Sequence, residues 1–292
     1  MRAARRSVAM APFELVVPST VEEAMAALRT SGPGGASALA GGTDLLNDLD
    51  DGRARPQRVV SLRRLPWRTL DWTGGQLTVG STLPLRALEQ DPEVARRFPG
   101  LVQAVRAVGS VALRHCATLG GNVVRSAPAS DLVPVLLSLD AEVDLVGPRG
   151  DRRVPLDRFI RSSRRVDLAE GELVRSIRFP EARPSSYLWQ RVRPANDISQ
   201  VAVALAFSPT GHAWRVAVGG VPPRPVLLPG PARLLGSGAP GPEVVRRAAA
   251  LAGEEAPFVT DRRASEEYRR RTVSALVARA VAAVLETPEF PR

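Results

Sequence analysis

Two stretches decide the reading of this chain, Ala40-Gly41-Gly42-Thr43-Asp44-Leu45 and Ala117-Thr118-Leu119-Gly120-Gly121-Asn122. Glycine lacks a Cβ and tolerates positive φ, so the backbone N–H groups of such turns approach a ligand closely. Successive N–H groups form an anion-binding concavity, reinforced where a helix begins immediately afterwards. Thr43, Thr118 and Asn122 add short, directional hydrogen bonds. Two turns of this kind suit the two halves of a diphosphate, with Asp44 or Asp131 accepting from sugar-like hydroxyls. Neither turn has the spelling of the common dinucleotide or nucleoside-triphosphate motif. One Gly-Gly-Thr turn alone is as readily a tight turn closed by local side-chain bonds. A pair of turns, with a long polar segment around the second, favours the cradle.

Composition narrows the chemistry. The chain has 292 residues, enough for a core and two or three small domains. Cys116 is the single cysteine, which excludes an intrachain disulfide, a four-cysteine zinc site and an iron–sulfur cluster. His115 and His212 are the two histidines, so no metal site is expected. Redox chemistry here requires an organic cofactor. The net charge of +10 comes entirely from arginine, because lysine is absent. The charge is dispersed and aromatic residues are only 4%, so nucleic-acid binding is not expected. No apolar run reaches the length of a membrane span. Glu14 interrupts the mildly apolar stretch from Ser7 to Pro18 and no cleavage site follows, so no signal peptide and a cytoplasmic location are expected. Met1–Arg6 reads as a basic tail.

Along the chain, Val21, Ala24, Met25 and Leu28 recur at helical spacing behind a capping box of Ser19 with Glu22 or Thr20 with Glu23. A strand from Ser37 to Ala40 runs into the first glycine turn, followed by a short helix from Asp44 to Leu49 and a strand from Arg58 to Leu62. This is an α/β unit with its glycines at the end of a strand, where ligands commonly lie. Arg68–Trp72 and Gln76–Val79 flank Gly74-Gly75 as a hairpin. Thr82 is expected to cap a helix starting near Pro84, and another helix follows Pro99. Gly109 to Asp131 loses periodicity, and a structureless stretch of that length usually has a functional cause. A helix from Asp131 to Leu139 and strands at 141–146 and 173–179 follow. Pro180–Ser186 reads as a boundary. Beyond it come strands near 187, 200–207 and 213–218 and helices at 242–251 and 265–285, with Gly219–Pro242 too rich in Gly and Pro for continuous structure.

Arg114 and Arg125 flank the second turn, as candidates to contact phosphate or orient the loop. Arg191 and Arg193, with Asn196 and Asp197, read as an arginine network rather than a catalytic group. His115 and Cys116 are imaginable as a dyad, but Cys116 is expected to be a small packed residue and His212 to lie in a surface turn.

These residues together resemble the FAD-binding medium subunit of the molybdenum hydroxylases, the family of aerobic carbon monoxide dehydrogenase and xanthine dehydrogenase flavoprotein subunits. The resemblance runs from Phe13-Glu14-Leu15 through both glycine motifs, Pro128, Asp131-Leu132 and Pro134 to Asp197-Ile198, Val218-Gly219-Gly220-Val221 and Tyr268-Arg269-Arg270. His115 stands where the family commonly has Asn. The resemblance implies an α+β fold: two N-terminal α/β subdomains (10–67 and 68–180) forming a PCMH-type FAD-binding domain, and a smaller C-terminal α+β domain (187–287). It implies that Ala40, Gly41, Gly42, Thr43, Asp44, Leu45, Arg114, Ala117, Thr118, Leu119, Gly120, Gly121, Asn122 and Asp131 surround FAD. Leu119 is expected near the flavin ring and Asp131 near the ribityl or ribose hydroxyls. No catalytic acid or base is expected. The implied partners are an iron–sulfur small subunit and a molybdenum-cofactor large subunit, with electrons passing to quinone, NAD or oxygen. The alternatives are a free-standing FAD-dependent dehydrogenase or oxidase acting on a small metabolite, and a non-catalytic binding or scaffold protein retaining the fold.

Overall fold

A computed structural model describes residues 10–29, 34–193 and 197–291; the basic tail Met1–Arg6 and Asn196 lie outside the described residues. The chain builds three main sheets in sequence order. The first comprises β1 (Glu14–Val16), β2 (Ala36–Leu39) and β3 (Arg58–Ser61), parallel in the order β1-β3-β2, with α1 (Val21–Leu28) and α2 (Leu45–Asp50) between them. Helix α1 starts with the Thr20–Glu23 box: the Thr20 hydroxyl accepts from Glu23 N at 3.1 Å and the Glu23 carboxylate accepts from Thr20 N at 3.3 Å. Ala24 on α1 packs with Val60, Leu62, Leu65 and Trp67, and this small core extends onto Val146 and Leu173 of the next sheet. The first glycine turn leaves the carboxyl end of the parallel strand β2.

The second sheet is antiparallel throughout. Its strands are β4 (Leu70–Thr73), β5 (Gln76–Gly80), β6 (Glu142–Val146), β7 (Arg152–Pro155) and, after the short ribbon β8 (Ile160–Ser162) and β9 (Arg165–Val166), β10 (Leu173–Phe179), in the order β4-β5-β10-β6-β7. Against it pack α3 (Leu85–Gln90), α4 (Pro92–Arg97), α5 (Pro99–Ala107), α6 (Val111–Arg114), α7 (Leu119–Arg125), α8 (Leu132–Ser138) and α9 (Leu156–Phe159).

The third sheet runs β11 (Ser185–Gln190), β12 (Val201–Ser208), β13 (Ala213–Gly219) and β14 (Val226–Leu227) and carries α10 (Pro229–Leu235), α11 (Pro242–Glu255) and α12 (Glu266–Leu285). Strand β12 explains how this unit is attached. Side chains alternate across a strand, so its sequence Val-Ala-Val-Ala-Leu-Ala-Phe presents two different faces. Val201, Val203, Leu205 and Phe207 enter the core with α11 and α12, whereas Ala202, Ala204 and Ala206 join the core of the second unit. The small face lets α5 and α8 lie close against the third sheet. Both faces of β12 are therefore covered.

Three local expectations are corrected. Gly109 to Asp131 is not structureless: it holds α6 and α7, each started by a hydroxyl cap, Ser110 on Leu113 N at 3.2 Å and Thr118 on Gly121 N at 3.1 Å. At four and seven residues, with Gly and Asn inside, they are too short and too weak in propensity to show a period. Thr82 does not cap α3; Pro84 precedes that helix, and the Thr82 hydroxyl is buried without a partner among the described residues. Gly219–Pro242 contains β14 and α10, the latter begun by Pro229 at its first position.

Candidate functional site

The two glycine turns meet. A Cβ built on Gly41 would stand 1.9 Å from the Cys116 carbonyl oxygen and 3.1 Å from Ala117 Cα, so the first turn touches the backbone entering the second. That backbone is held in place from behind: Ala117 N donates to Leu113 O and Ala117 O accepts from Leu85 N, both at 2.8 Å, and Thr118 bridges to Pro84. The Cys116 side chain is exposed, which corrects the expectation of a packed thiol; the contact with Gly41 is made by the backbone. His115 is also exposed, and His212 lies in an exposed turn with φ of +45°.

A second link joins the turns through charge. Arg125, at the end of α7, reaches across to α2, with Nη1 2.5 Å from Asp48 and Nε 3.2 Å from Asp44. Asp48 also pairs with Arg53 at 2.7 Å. The hydrogen bond from Arg125 holds the Asp48 carboxyl below its ordinary pKa, overcoming the opposing effect of burial. Arg125 thus bridges α2, which follows the first glycine turn, and α7, whose first turn holds Gly120-Gly121.

Not every candidate faces the same way. The Arg114 guanidinium is buried and hydrogen-bonded to Glu89, at 2.8 and 3.2 Å, and to the carbonyls of Val108 and Arg106. Burial pushes the Glu89 carboxyl up, but the bonds from Arg114 and Arg86 outweigh it and leave the pKa lowered. Arg114 thus braces α6 against α3 and the end of α5. The Leu119 side chain is fully buried in the core of the second unit. Gly120 packs on protein as well, where an added Cβ would lie 2.6 Å from Ser81 Cβ. Gly121 differs: it is exposed, and only Thr118 Oγ1, at 3.0 Å, lies near an added Cβ. Thr43 and Leu45 are half-buried beside the first turn, with the Thr43 carbonyl accepting from Asn47 at 2.7 Å.

Asn122 and Asp131 are joined through Ser130. The Ser130 hydroxyl donates to Asn122 Oδ1 at 2.7 Å and accepts from Val133 N at 3.2 Å, so it caps α8. Asn122 Nδ2 keeps no partner among the described residues. Because Ser130 takes the cap, the Asp131 carboxylate is left for other contacts. Its Oδ1 accepts from Tyr187 Oη and from Ser199 Oγ, both at 2.6 Å, and its Oδ2 accepts from Arg191 at 2.7 Å. Burial, then the Asp131 charge, pushes the Tyr187 phenol well above its ordinary pKa. Arg191 is therefore part of a buried network, while Arg193 pairs with Asp197 at 3.4 Å at the surface. Backbone N–H groups of Arg193 and Ile198 bring Asp197 down to about 2. Tyr187, Ser199 and Ser130 carried no motif in the sequence; the one available signal was a tyrosine in a chain with two.

A cleft elsewhere, lined by Asp140, Glu181, Arg183, Ser208 and Arg215, includes no residue of either turn. Its charges pair with one another, Arg183 with Asp140 at 2.8 Å and with Glu181 at 2.9 Å, Arg215 with Asp140 at 3.2 Å.

Sequence comparison assigns residues 11–182 to the FAD binding domain in molybdopterin dehydrogenase and residues 186–284 to the CO dehydrogenase flavoprotein C-terminal domain. The chain belongs to this family of FAD-binding subunits of the molybdenum hydroxylases, in the class of FAD-dependent oxidoreductases. It is 28% identical over 276 residues to the carbon monoxide dehydrogenase medium chain of Hydrogenophaga pseudoflava, covering 92% of this chain and 96% of that one. It is 31% identical over 175 residues to the xanthine dehydrogenase FAD-binding subunit of Escherichia coli O157:H7, covering 58% and 60%. In structure it is similar to the carbon monoxide dehydrogenase from Hydrogenophaga pseudoflava that lacks the Mo-pyranopterin moiety, with a TM-score of 0.86 and 26% identity over 95% of this chain and 99% of that one. The expected mixed α+β architecture, with an FAD-binding part and a flavoprotein C-terminal domain, is the observed one. Among the described residues no helix is long and apolar enough to cross a membrane.

Proposed function

We propose that this chain holds FAD between its two glycine turns and relays electrons from an iron–sulfur small subunit to an external acceptor such as quinone, NAD or oxygen, in the cytoplasm, beside a large subunit carrying the molybdenum cofactor. The subdomains are 10–67, 68–180 and 187–287, in keeping with the division of the strands among the three sheets. The observation that carries the reading is the packing of Gly41 on Cys116–Ala117, which brings together two turns rich in backbone N–H groups.

The residues present fit the cofactor. Gly121 is exposed, with the Thr118 hydroxyl as the one neighbour of an added Cβ, and Asn122 Nδ2 is a donor in the same turn without a partner among the described residues. The Thr118 hydroxyl accepts from Gly121 N and so retains its O–H to donate. FAD, when bound, supplies the electron-carrying chemistry; the protein supplies binding, orientation and electrostatics. In that division, Ala40–Leu45 and Ala117–Asn122 enclose the diphosphate chiefly by backbone N–H groups, with Thr43, Thr118 and Asn122 donating from side chains. Asp131 accepts from a ribityl or ribose hydroxyl. No side chain is asked to transfer a proton.

Purification under mild conditions tests the reading. The expected outcome is visible flavin absorption, with copurifying chains that contain iron–sulfur and molybdenum centres. Flavin reduction by a small metabolite in the isolated chain would instead favour a free-standing dehydrogenase or oxidase. Folded protein that neither contains nor takes up FAD would leave the scaffold reading.

A further inference from the structure

Asp131 is the point where the third sheet reaches into the second unit. Its three partners come from that side: Tyr187 on β11, with Arg191 and Ser199 on the connection from β11 to β12. The partners are themselves oriented. Ser199 accepts from Arg191 Nε at 3.1 Å, so its own O–H is directed to Asp131. Arg191 is further held by the Ala107 carbonyl at 2.9 Å and lies over the Trp189 ring at 5.4 Å. Tyr187 is fully buried, stacked on Trp189, with its backbone N–H donating to Gln103 at 2.7 Å. A carboxylate offers about four acceptor directions. Tyr187 and Ser199 fill both on Oδ1, whereas Arg191 fills one on Oδ2.

We propose that Tyr187, Ser199 and Arg191 are positioning residues that fix the Asp131 carboxylate with one acceptor direction of Oδ2 left for a hydroxyl of the bound cofactor, so that the C-terminal unit sets how tightly FAD is held. This rests on the FAD reading given above. The saturated Oδ1 and the Arg191 bond to Oδ2 hold the carboxylate in one geometry, because low-dielectric hydrogen bonds in a network reinforce one another. The cofactor hydroxyl then meets a fixed acceptor rather than one that must first be ordered.

The test is a titration of the full-length apoprotein with FAD, followed by flavin fluorescence, for the wild type, Tyr187→Phe, Ser199→Ala, Asp131→Asn and the double variant Tyr187→Phe/Asp131→Asn. Thermal unfolding of each apoprotein is measured in parallel. Tyr187→Phe is expected to weaken FAD binding by about tenfold, the scale of a lost hydrogen bond to a charged group. Ser199→Ala is expected to weaken it in the same direction. In the Asp131→Asn background the phenylalanine should cause no further weakening, because its effect passes through that carboxylate. Weakening that persists undiminished in that background marks a general structural effect and overturns the inference. So does unchanged affinity in folded Ser199→Ala and Tyr187→Phe while the wild type binds FAD. A wild-type chain without affinity for FAD overturns the proposed function together with this inference.

Discussion

Gly41-Gly42 and Gly120-Gly121 share a spelling, yet the four positions differ in what a side chain there would meet. Gly41 abuts the Cys116 carbonyl of the opposite turn, at 1.9 Å from an ideal Cβ. Gly42 holds φ at +75°, with the flexible ends of Leu39 and Leu46 as its nearest neighbours. Gly120 lies on Ser81 at the end of β5, and Gly121 is exposed, with only the Thr118 hydroxyl, at 3.0 Å, near an ideal Cβ. A glycine pair in a sequence marks a close approach without saying whether protein or ligand approaches. Three of these four answer to the protein's own packing or backbone, and the fourth, Gly121, is exposed.

Substitution by alanine should separate the four. Gly41→Ala is expected to be the most damaging, since the obstacle is backbone held by two hydrogen bonds. Denaturant unfolding of the apoprotein should show a loss at or above the upper end of the roughly 1–3 kcal/mol typical of overpacking, and wild-type stability there would break the contact between the turns. Gly120→Ala should cost about 1–3 kcal/mol by the same measurement. Its effect precedes any ligand, because the added Cβ meets Ser81. Gly42→Ala should lose about 1–2 kcal/mol for the left-handed backbone, because its side-chain neighbours are able to move aside.

Gly121→Ala sharpens the comparison most. Alanine suits a helix better than glycine by up to about 1 kcal/mol, so stability should hold or rise while FAD affinity falls. Equal FAD affinity in isothermal titration of the two folded proteins would remove Gly121 from the cradle. The smallest effect is expected at the ionic link. Asp48 has a folded pKa below its ordinary value of 3.8, so its contribution is present above that pH and is lost as the pH falls through the lowered value. The difference in unfolding free energy between wild type and Asp48→Asn should therefore narrow as the pH drops below 3.8. A constant difference would show that charge pairing with Arg125 contributes nothing.

Much of the architecture was legible because its signals are local. The strand Leu173–Phe179 has the limits its sequence predicts, and the observed α1 cap is one of the two registers that Ser19 and Thr20 offer. The regions where structure departs from the sequence pattern share a cause. Helices α6 and α7 are stabilised by one hydroxyl cap each and by packing, which a periodicity search does not see. In the candidate site, the glycines, Asn122 and Asp131 stood out by composition, whereas Tyr187 and Ser199 are ordinary strand and loop residues until folding brings them 2.6 Å from one carboxylate.

By itself the sequence determined the order of elements, the family, and the presence of two turns without side chains, because propensity, capping and glycine content act over a few neighbouring residues. The tertiary structure alone decided that Arg114 and Leu119 face inward, that Arg125 joins α7 to α2, and that the third sheet grips Asp131. Those outcomes depend on contacts between segments far apart in the chain, where burial and charge pairing are settled only once the three sheets have packed.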